Sequence, residues 1–197
     1  PLGIDERDRY EKAIYTELSS EVIVHAQKAL DLVLERGTGS HGLLKMGTGD
    51  WNDGMDKVGV KGEGESVWLT WFFSHTAHRF SALLKTLGRP EDAERYAQAA
   101  TVLGDTANAA WDGNWYLRGY FDDGTPLGSS NQPCCQIDSI AQSFATLCPE
   151  ADGARVEAAL TAARMRLFDT ENRLIRLFEP PFVDARPSPG YIESYGP

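Results

Sequence analysis

The ten residues from Gly47 to Asp56 combine side chains and backbone freedom in a way that suits ligand binding. Their sequence, GTGDWNDGMD, holds three carboxylates, one indole and three glycines. Glycines let the backbone turn sharply and approach a ligand closely, and the residue order follows neither a helical nor a strand period. Trp51 offers a flat apolar face that can stack on a sugar ring, while the Asp and Asn side chains can hydrogen-bond to hydroxyl groups. The segment therefore indicates a ligand site; the alternative is an acidic turn anchored by a buried tryptophan.

Glycine, acidic and aromatic residues recur together in four blocks along the chain. The first block comprises Gly42, Gly49–Met55, Val58–Gly59 and Gly62–Leu69. The later blocks are Gly119–Gly128, Ile137–Ser143 and Pro189–Ile192. In amino-acid sequence and in order along the chain, these blocks resemble glycoside hydrolase family 94. That family comprises cellobiose and chitobiose phosphorylases and the C-terminal region of cyclic β-1,2-glucan synthases. The amino-acid sequence of the first two blocks is most similar to that of the glucan synthase group.

Hydrophobic periodicity predicts a chain built mainly from helices. The predicted helices cover about residues 21–35, 65–87, 90–111, 138–147 and 151–168. Ser19 and Ser20 are predicted to cap the first helix, and Gly37 to end it. The second is apolar nearly all round, so it should be central and buried on most sides. Residues 5–18 are expected to form an irregular or weakly helical lead-in.

Long non-helical stretches separate these helices and should carry the chemistry. Residues 38–64 are unusually long for a connection inside a compact domain. Residues 115–121 have strand composition and the following Asp-Asp-Gly is a turn signal, which predicts a short β-hairpin. A brief strand at residues 173–178 and an extended tail from Pro180 to Pro197 are also expected. The predicted fold class is all-α with long functional loops. The resemblance implies part of an (α/α)6 barrel, with residues 1–197 as a partial catalytic domain, an excised fragment.

The composition argues against some classes of binding partner and favours one cellular location. With 42% apolar and 24% charged residues the chain is an ordinary globular protein. Its formal charge of −10 argues against nucleic acid and anionic membranes as partners, and a neutral sugar is compatible with it. Cys134, Cys135 and Cys148 lack C-x-x-C spacing, which favours reduced thiols in the cytoplasm and argues against a zinc site. No apolar run is long enough to span a bilayer, so no direct membrane contact is expected here, although a glucan synthase parent could be membrane-anchored.

Asp53 is the predicted catalytic residue. Breaking a glycosidic bond requires a proton for the leaving oxygen while an oxocarbenium-like centre develops at the sugar. In the family that the chain resembles, the second Asp of an Asp-Trp-Asn-Asp run supplies this proton, and Asp53 occupies that position. The alternative is a turn Asp that caps its own loop.

Further residues are expected to contact the sugar. Trp51 and Asn52 should shape the sugar site, and Asp50 should bind hydroxyls or hold the loop. Asp138 and Gln142 lie four residues apart on one helical face and could point into the mouth of the barrel. The alternative is a helix cap for Asp138 and a core hydrogen bond for Gln142.

The resemblance also bears on the end of the chain and on positions where it departs from the family. It implies that Tyr195 helps to hold the acceptor sugar. Gln136 stands where many relatives have Arg, which puts in doubt any ligand contact carried over there. His75 and His78 are three apart on an aromatic helix and are predicted to be core histidines rather than metal ligands.

The predicted function is inverting phosphorolysis of a β-linked oligo- or polysaccharide, with inorganic phosphate as co-substrate and no cofactor or metal. The resemblance places the phosphate ligands outside this chain, so the chain alone is expected to be inactive. Its exposed apolar helix faces predict self-association. Two alternatives stay open: a glucoamylase-like inverting hydrolase, which needs a second catalytic carboxylate, and a non-catalytic carbohydrate-binding helical segment.

Overall fold

Five helices frame the part of the chain that the computed structural model describes, namely residues 12, 14, 15 and 17–195. They are α1 (Val22–Arg36), α2 (Val67–Thr86), α3 (Pro90–Ala109), α4 (Ser139–Ala145) and α5 (Gly153–Leu167). The mainly helical character predicted from periodicity is confirmed. Most of the predicted lead-in at residues 5–18, and the last two residues of the predicted tail, Gly196 and Pro197, lie outside the described residues.

Helices α2 and α3 pack along each other and form one hydrophobic core. Their apolar residues recur every three or four positions, which places them on the facing sides of the two helices. The predicted burial of α2 on most sides is only partly correct, because Phe72 and Leu83 are 42% and 47% exposed. The core members are Leu44, Phe73, Ala77, Phe80, Leu84, Ala93, Tyr96, Ala100 and Leu103.

Helix α1 covers the flank of this core with Ile23, Ala26 and Leu30. It ends at Gly37 as predicted, where a positive φ of 72° suits a residue without a Cβ. The predicted capping by Ser19 and Ser20 is wrong. Glu21 occupies the N-cap position and makes no side-chain cap hydrogen bond.

A second core lies where α4 and α5 meet the other side of α2. Trp71 from α2 contacts the ring of Tyr116 edge to face, with centroids 5.5 Å apart. The two histidines predicted to be core residues lie at this junction and are only partly buried. His78 Nε2 is 2.6 Å from Glu150 Oε1, and His75 Nδ1 is 3.0 Å from the Leu147 carbonyl oxygen.

The described residues also contain seven two-residue strands. Strands β1 (Glu65–Ser66), β2 (Gly119–Tyr120) and β3 (Pro126–Leu127) form one antiparallel sheet. The predicted hairpin is therefore confirmed as β2–β3, but residues predicted to start the second helix pair with it instead. A Cβ on Gly119 would collide with the Glu65 carbonyl oxygen, so only glycine allows this close pairing.

The remaining strands pair near α4 and α5. Strand β4 (Ile137–Asp138) pairs with β7 (Phe178–Glu179), and β5 (Phe168–Asp169) pairs with β6 (Leu174–Ile175). As a result α2 and α4 are each preceded by a paired two-residue strand. None of the helices in the described ranges is long and apolar enough to cross a membrane.

Candidate active site

The acid loop, residues 47–56, is held in shape by its own side chains. The Asn52 backbone N–H donates to Asp50 Oδ1 at 3.1 Å, and Asn52 Oδ1 accepts from the Gly54 N–H at 3.0 Å. Asn52 is buried and caps the short 3-10 turn Asp53–Met55. Asp53, at the first position of this turn, is exposed. The loop thus buries its amide and presents its second aspartate.

Trp51 stands at the surface beside this aspartate. Its side chain is 49% exposed, so it is not the buried anchor of the alternative interpretation. Its ring meets the edge of Trp68, with centroids 6.4 Å apart, and Trp68 stacks on Phe72 at 5.4 Å. The indole therefore packs on other aromatic rings while about half of its surface remains exposed to solvent, where a sugar ring could stack.

Asp50 has the opposite environment from Asp53. Its side chain is fully buried and forms an ion pair with Arg118, with Oδ2 2.7 Å from Nη2. Asp50 Oδ2 also accepts a hydrogen bond of 2.7 Å from Ser66 Oγ, at the N-cap of α2. Of the two roles expected for Asp50, the structure shows it holding the loop.

Arg118 also faces a second carboxylate. Its Nε lies 3.4 Å from Asp138 Oδ2, although neither atom has a hydrogen-bond partner among the described residues. Burial raises the pKa of Asp138 to about 6, and the positive charge of Arg118 limits the rise. Burial alone would lower the pKa of Arg118, but the charges of Asp50 and Asp138 outweigh it and raise that pKa.

Asp138 and Gln142 take up the structural roles of the alternative interpretation. Asp138 Oδ1 accepts from the Ile140 N–H at 2.9 Å and caps α4. The Gln142 amide accepts from the Tyr116 N–H and donates to the Tyr116 and Asp138 carbonyls, all at 2.8–2.9 Å. Both side chains are buried. These contacts favour the structural alternative for both residues, although Asp138 Oδ2 has no hydrogen-bond partner among the described residues.

The C-terminal tail returns to the acid loop. The Tyr191 N–H donates to Asp56 Oδ1 at 3.1 Å, and the Lys57 N–H donates to the Pro189 carbonyl at 3.1 Å. The short helix Tyr191–Ser194 thereby packs against the turn that begins at Asp53. Desolvation, Tyr195 and the nearby Asp53 raise the pKa of Tyr191. Sequence reasoning did not assign Tyr191; its membership of the fourth block was the available signal.

Tyr195 borders a cavity next to this tail. The Tyr191 and Tyr195 rings meet edge to face, with centroids 6.0 Å apart. The cavity has a volume of about 580 Å³. It is lined by Asp169, Asn172, Leu174, Arg176, Leu177, Phe178, Glu179, Pro181 and Tyr195.

The unusual positions near α4 are occupied by internal contacts. Gln136 Oε1 accepts a hydrogen bond of 2.5 Å from Arg166 Nη2. Cys134 and Cys135 are buried free thiols, as is Cys148. The side-chain oxygen of Gln136 thus already has a partner within the chain, which agrees with the expectation that a ligand contact cannot be carried over to this position.

Similarity to known proteins identifies the family. Residues 5–197 match the catalytic domain of the glycosyl hydrolase 94 superfamily. The chain belongs to this family. Over 98% of its length it is 43% identical to the cyclic beta-(1,2)-glucan synthase NdvB of Rhizobium meliloti (strain 1021), of which it covers 7%. Over 88% of its length it is 35% identical to the 3-O-beta-D-glucopyranosyl-beta-D-glucuronide phosphorylase of Paenibacillus borealis, of which it covers 22%.

A third relative is the N,N'-diacetylchitobiose phosphorylase of Vibrio proteolyticus. It is 30% identical over 76% of this chain, which covers 18% of that protein. The chain thus spans less than a quarter of the length of each of these three relatives.

The raised pKa of Asp138 predicts a specific pH dependence of stability. Between its ordinary value of 3.8 and about 6, the folded state binds a proton that the unfolded state has released. Asp138 therefore makes the free energy of unfolding fall as pH rises through this window, by roughly 2–3 kcal/mol. Asp138→Asn removes the titration and retains a good N-cap residue.

We expect the free energy of unfolding of the Asn variant, relative to wild type, to increase between pH 4 and 6 and to stay constant above. Chemical denaturation of both proteins across this pH range measures it. A difference independent of pH would contradict the assignment.

Proposed function

We propose that this chain supplies the general acid of an inverting glycoside phosphorylase or of the phosphorylase-type region of a cyclic glucan synthase. The observation that carries the proposal is the environment of Asp53. It is exposed at the start of a turn whose neighbours, Asn52 and Gly54, are buried and hydrogen-bonded. The half-exposed Trp51 lies two residues before it in the same loop. A carboxyl group next to an aromatic face suits the protonation of a sugar leaving group.

The chemistry is a single displacement. A phosphate oxygen forms a bond to the anomeric carbon while the bond from that carbon to the leaving oxygen breaks. Asp53 transfers its proton to that oxygen, so the acceptor sugar leaves with a free hydroxyl. A β-linkage would thus give an α-sugar 1-phosphate, and the attacking phosphate replaces the water and base of an inverting hydrolase.

The acceptor side of the site is proposed to lie toward the C-terminal tail. Tyr191, whose pKa the charge of Asp53 helps to raise, meets the ring of Tyr195 edge to face. The predicted sugar contacts of Trp51 and Tyr195 fit such a surface, because aromatic faces pack against sugar rings. The similarity to a cyclic glucan synthase over nearly the whole chain supports a β-1,2-linked glucan as substrate.

The chain is proposed to be part of an (α/α)6 barrel. Two features support this: α2 and α4 each follow a paired strand, and both helix N-termini approach the same residue, Arg118. The small share of each relative that the chain covers supports a longer catalytic domain. The buried free thiols support a reducing, cytoplasmic location.

A phosphate-dependence assay tests the proposal. The complete polypeptide that carries this sequence is incubated with a β-linked disaccharide, with and without phosphate. Formation of sugar 1-phosphate only with phosphate is expected. Release of free sugar without phosphate would support the hydrolase instead, and binding without turnover would support the carbohydrate-binding segment.

Asp53→Asn should lower kcat of the complete polypeptide by about 10²–10⁴-fold, because an amide keeps the shape but cannot donate the proton. The control is Asp123→Asn. Asp123 is an exposed aspartate whose Oδ1 accepts from the Thr125 N–H in the hairpin turn. Steady-state phosphorolysis rates measure the effect. Equal activity of the two variants would show that Asp53 is not the acid.

Trp51→Ala should weaken sugar binding, because a stacking face is lost from the surface. Its thermal stability should change less than that of the matched variant Trp71→Ala, since Trp71 is fully buried and a core Trp deletion costs ~3–5 kcal/mol. Sugar titration calorimetry and thermal unfolding give the two readouts. Unchanged sugar affinity with a stability loss of the full core size would make Trp51 an anchor.

The 197-residue chain alone should form no sugar 1-phosphate, because the family resemblance places the phosphate ligands outside it. It should also self-associate, since Phe72 and Leu83 expose one face of α2. Activity assays with phosphate and cellobiose, chitobiose or sophorose, together with light scattering, test both expectations. The complete polypeptide is the positive control, and turnover by a monodisperse monomer would contradict the prediction.

A further inference from the structure

A fully buried guanidinium lies directly behind the acid loop. Arg118 precedes β2, and its side chain is 0% exposed. It binds the carboxylate of Asp50, donates through Nη1 to Ser66 Oγ at 3.1 Å, and faces Asp138. One side chain thus joins the acid loop, the N-terminus of α2 and the N-terminus of α4.

Such a cluster is an expensive way to stabilise a fold. Removing charges from water costs several kcal/mol per ion, and well-packed apolar groups often serve equally well. The cluster also holds one positive and two acidic side chains, which adds repulsion between Asp50 and Asp138. Stability alone therefore gives a weak account of this arrangement, whereas a need for fixed geometry gives a stronger one.

Hydrogen bonds lead from the guanidinium to both sides of Asp53. Arg118 Nη2 donates to Asp50 Oδ1 at 2.8 Å, and the same oxygen accepts from the Asn52 N–H. Asn52 Oδ1 in turn accepts from the Gly54 N–H. The backbone is thereby fixed at the residue before and the residue after Asp53. A change at Arg118 reaches Asp53 through these bonds without any contact between the two side chains.

We propose that Arg118 is a positioning residue for proton transfer by Asp53. It orients Asp50, which sets the start of the turn that presents the acid. This inference rests on the proposed function, because it requires Asp53 to be the proton donor. Arg118 is buried and does not touch the substrate. Its effect is on the distance and angle between the Asp53 carboxyl and the leaving oxygen, where a misplacement of about 1 Å can cost ~10²-fold in rate.

The test compares substrates that differ in their need for the proton. A β-1,2-linked glucose disaccharide has a poor leaving group and requires acid catalysis, whereas a dinitrophenyl β-glucoside leaves without protonation. In the complete polypeptide, Arg118→Lys keeps the positive charge but loses the planar guanidinium, whose two terminal nitrogens bind Asp50 and Ser66 at the same time. We expect kcat for the disaccharide to fall about 10²-fold with KM little changed. For the aryl glucoside, kcat should stay within about threefold of wild type, because no proton has to be placed.

The control variant is Arg95→Lys. Arg95 also binds an aspartate, Asp31, at 2.8 Å, but it lies on α3, away from the acid loop. It should leave both rates unchanged. If Arg118→Lys fails to fold, Asp50→Asn replaces it, because it weakens the same ion pair while keeping the side-chain shape. The same disaccharide-selective loss is then expected.

Equal losses on both substrates would overturn the inference, since they indicate general disruption of the site. Unchanged disaccharide turnover would also overturn it. Asp53→Asn is measured in parallel on the two substrates. If Asp53→Asn retains full disaccharide activity, the proposed function fails; if it loses that activity while Arg118→Lys does not, only the positioning role fails.

Discussion

The ion pair between Arg118 and Asp50 is the constraint on which the rest of the site depends. Both side chains are fully buried, so loss of either one would leave a buried charge without its main counter-charge. The pair joins a loop residue to one 68 positions later in the chain. Because Ser66 Oγ hydrogen-bonds to both partners, the start of α2 is fixed to the same point. The acid loop is consequently tied through Asp50 to the start of α2.

Short strands precede both α2 and α4 next to this ion pair. Strand β1 pairs with β2 immediately after Arg118, and strand β4 ends at Asp138. The two helix N-termini therefore converge on one guanidinium, with Ser66 and Asp138 as their caps. Ser66 and Asp138 each cap a helix, end a strand and face Arg118. A substitution at either residue would therefore alter the helix cap and the surroundings of the ion pair together.

Sequence patterns predicted what is local and missed what is not. Hydrophobic periodicity predicted the five helices with nearly the bounds that the structure shows. The unusual composition of the acid loop indicated the candidate site. Arg118 was missed because it stands in a strand-like run, and nothing nearby in the sequence shows that it meets Asp50 and Asp138. The same lack of tertiary information left both roles open for Gln142. Its amide bonds to Tyr116, a backbone partner 26 residues away. Ser19 and Ser20 failed as caps because a capping residue type does not fix where a helix begins.

Asp50 and Asp53 show how one short loop can give two carboxylates different uses. They are separated by two residues, yet Asp50 is buried and paired with Arg118 whereas Asp53 is exposed. A buried, paired carboxylate cannot reach a substrate oxygen, but it can hold the backbone still. An exposed carboxyl can reach that oxygen, and its reaction depends on how well it is aimed. The pairing of one immobilised aspartate with one presented aspartate is what makes proton donation from this loop physically reasonable.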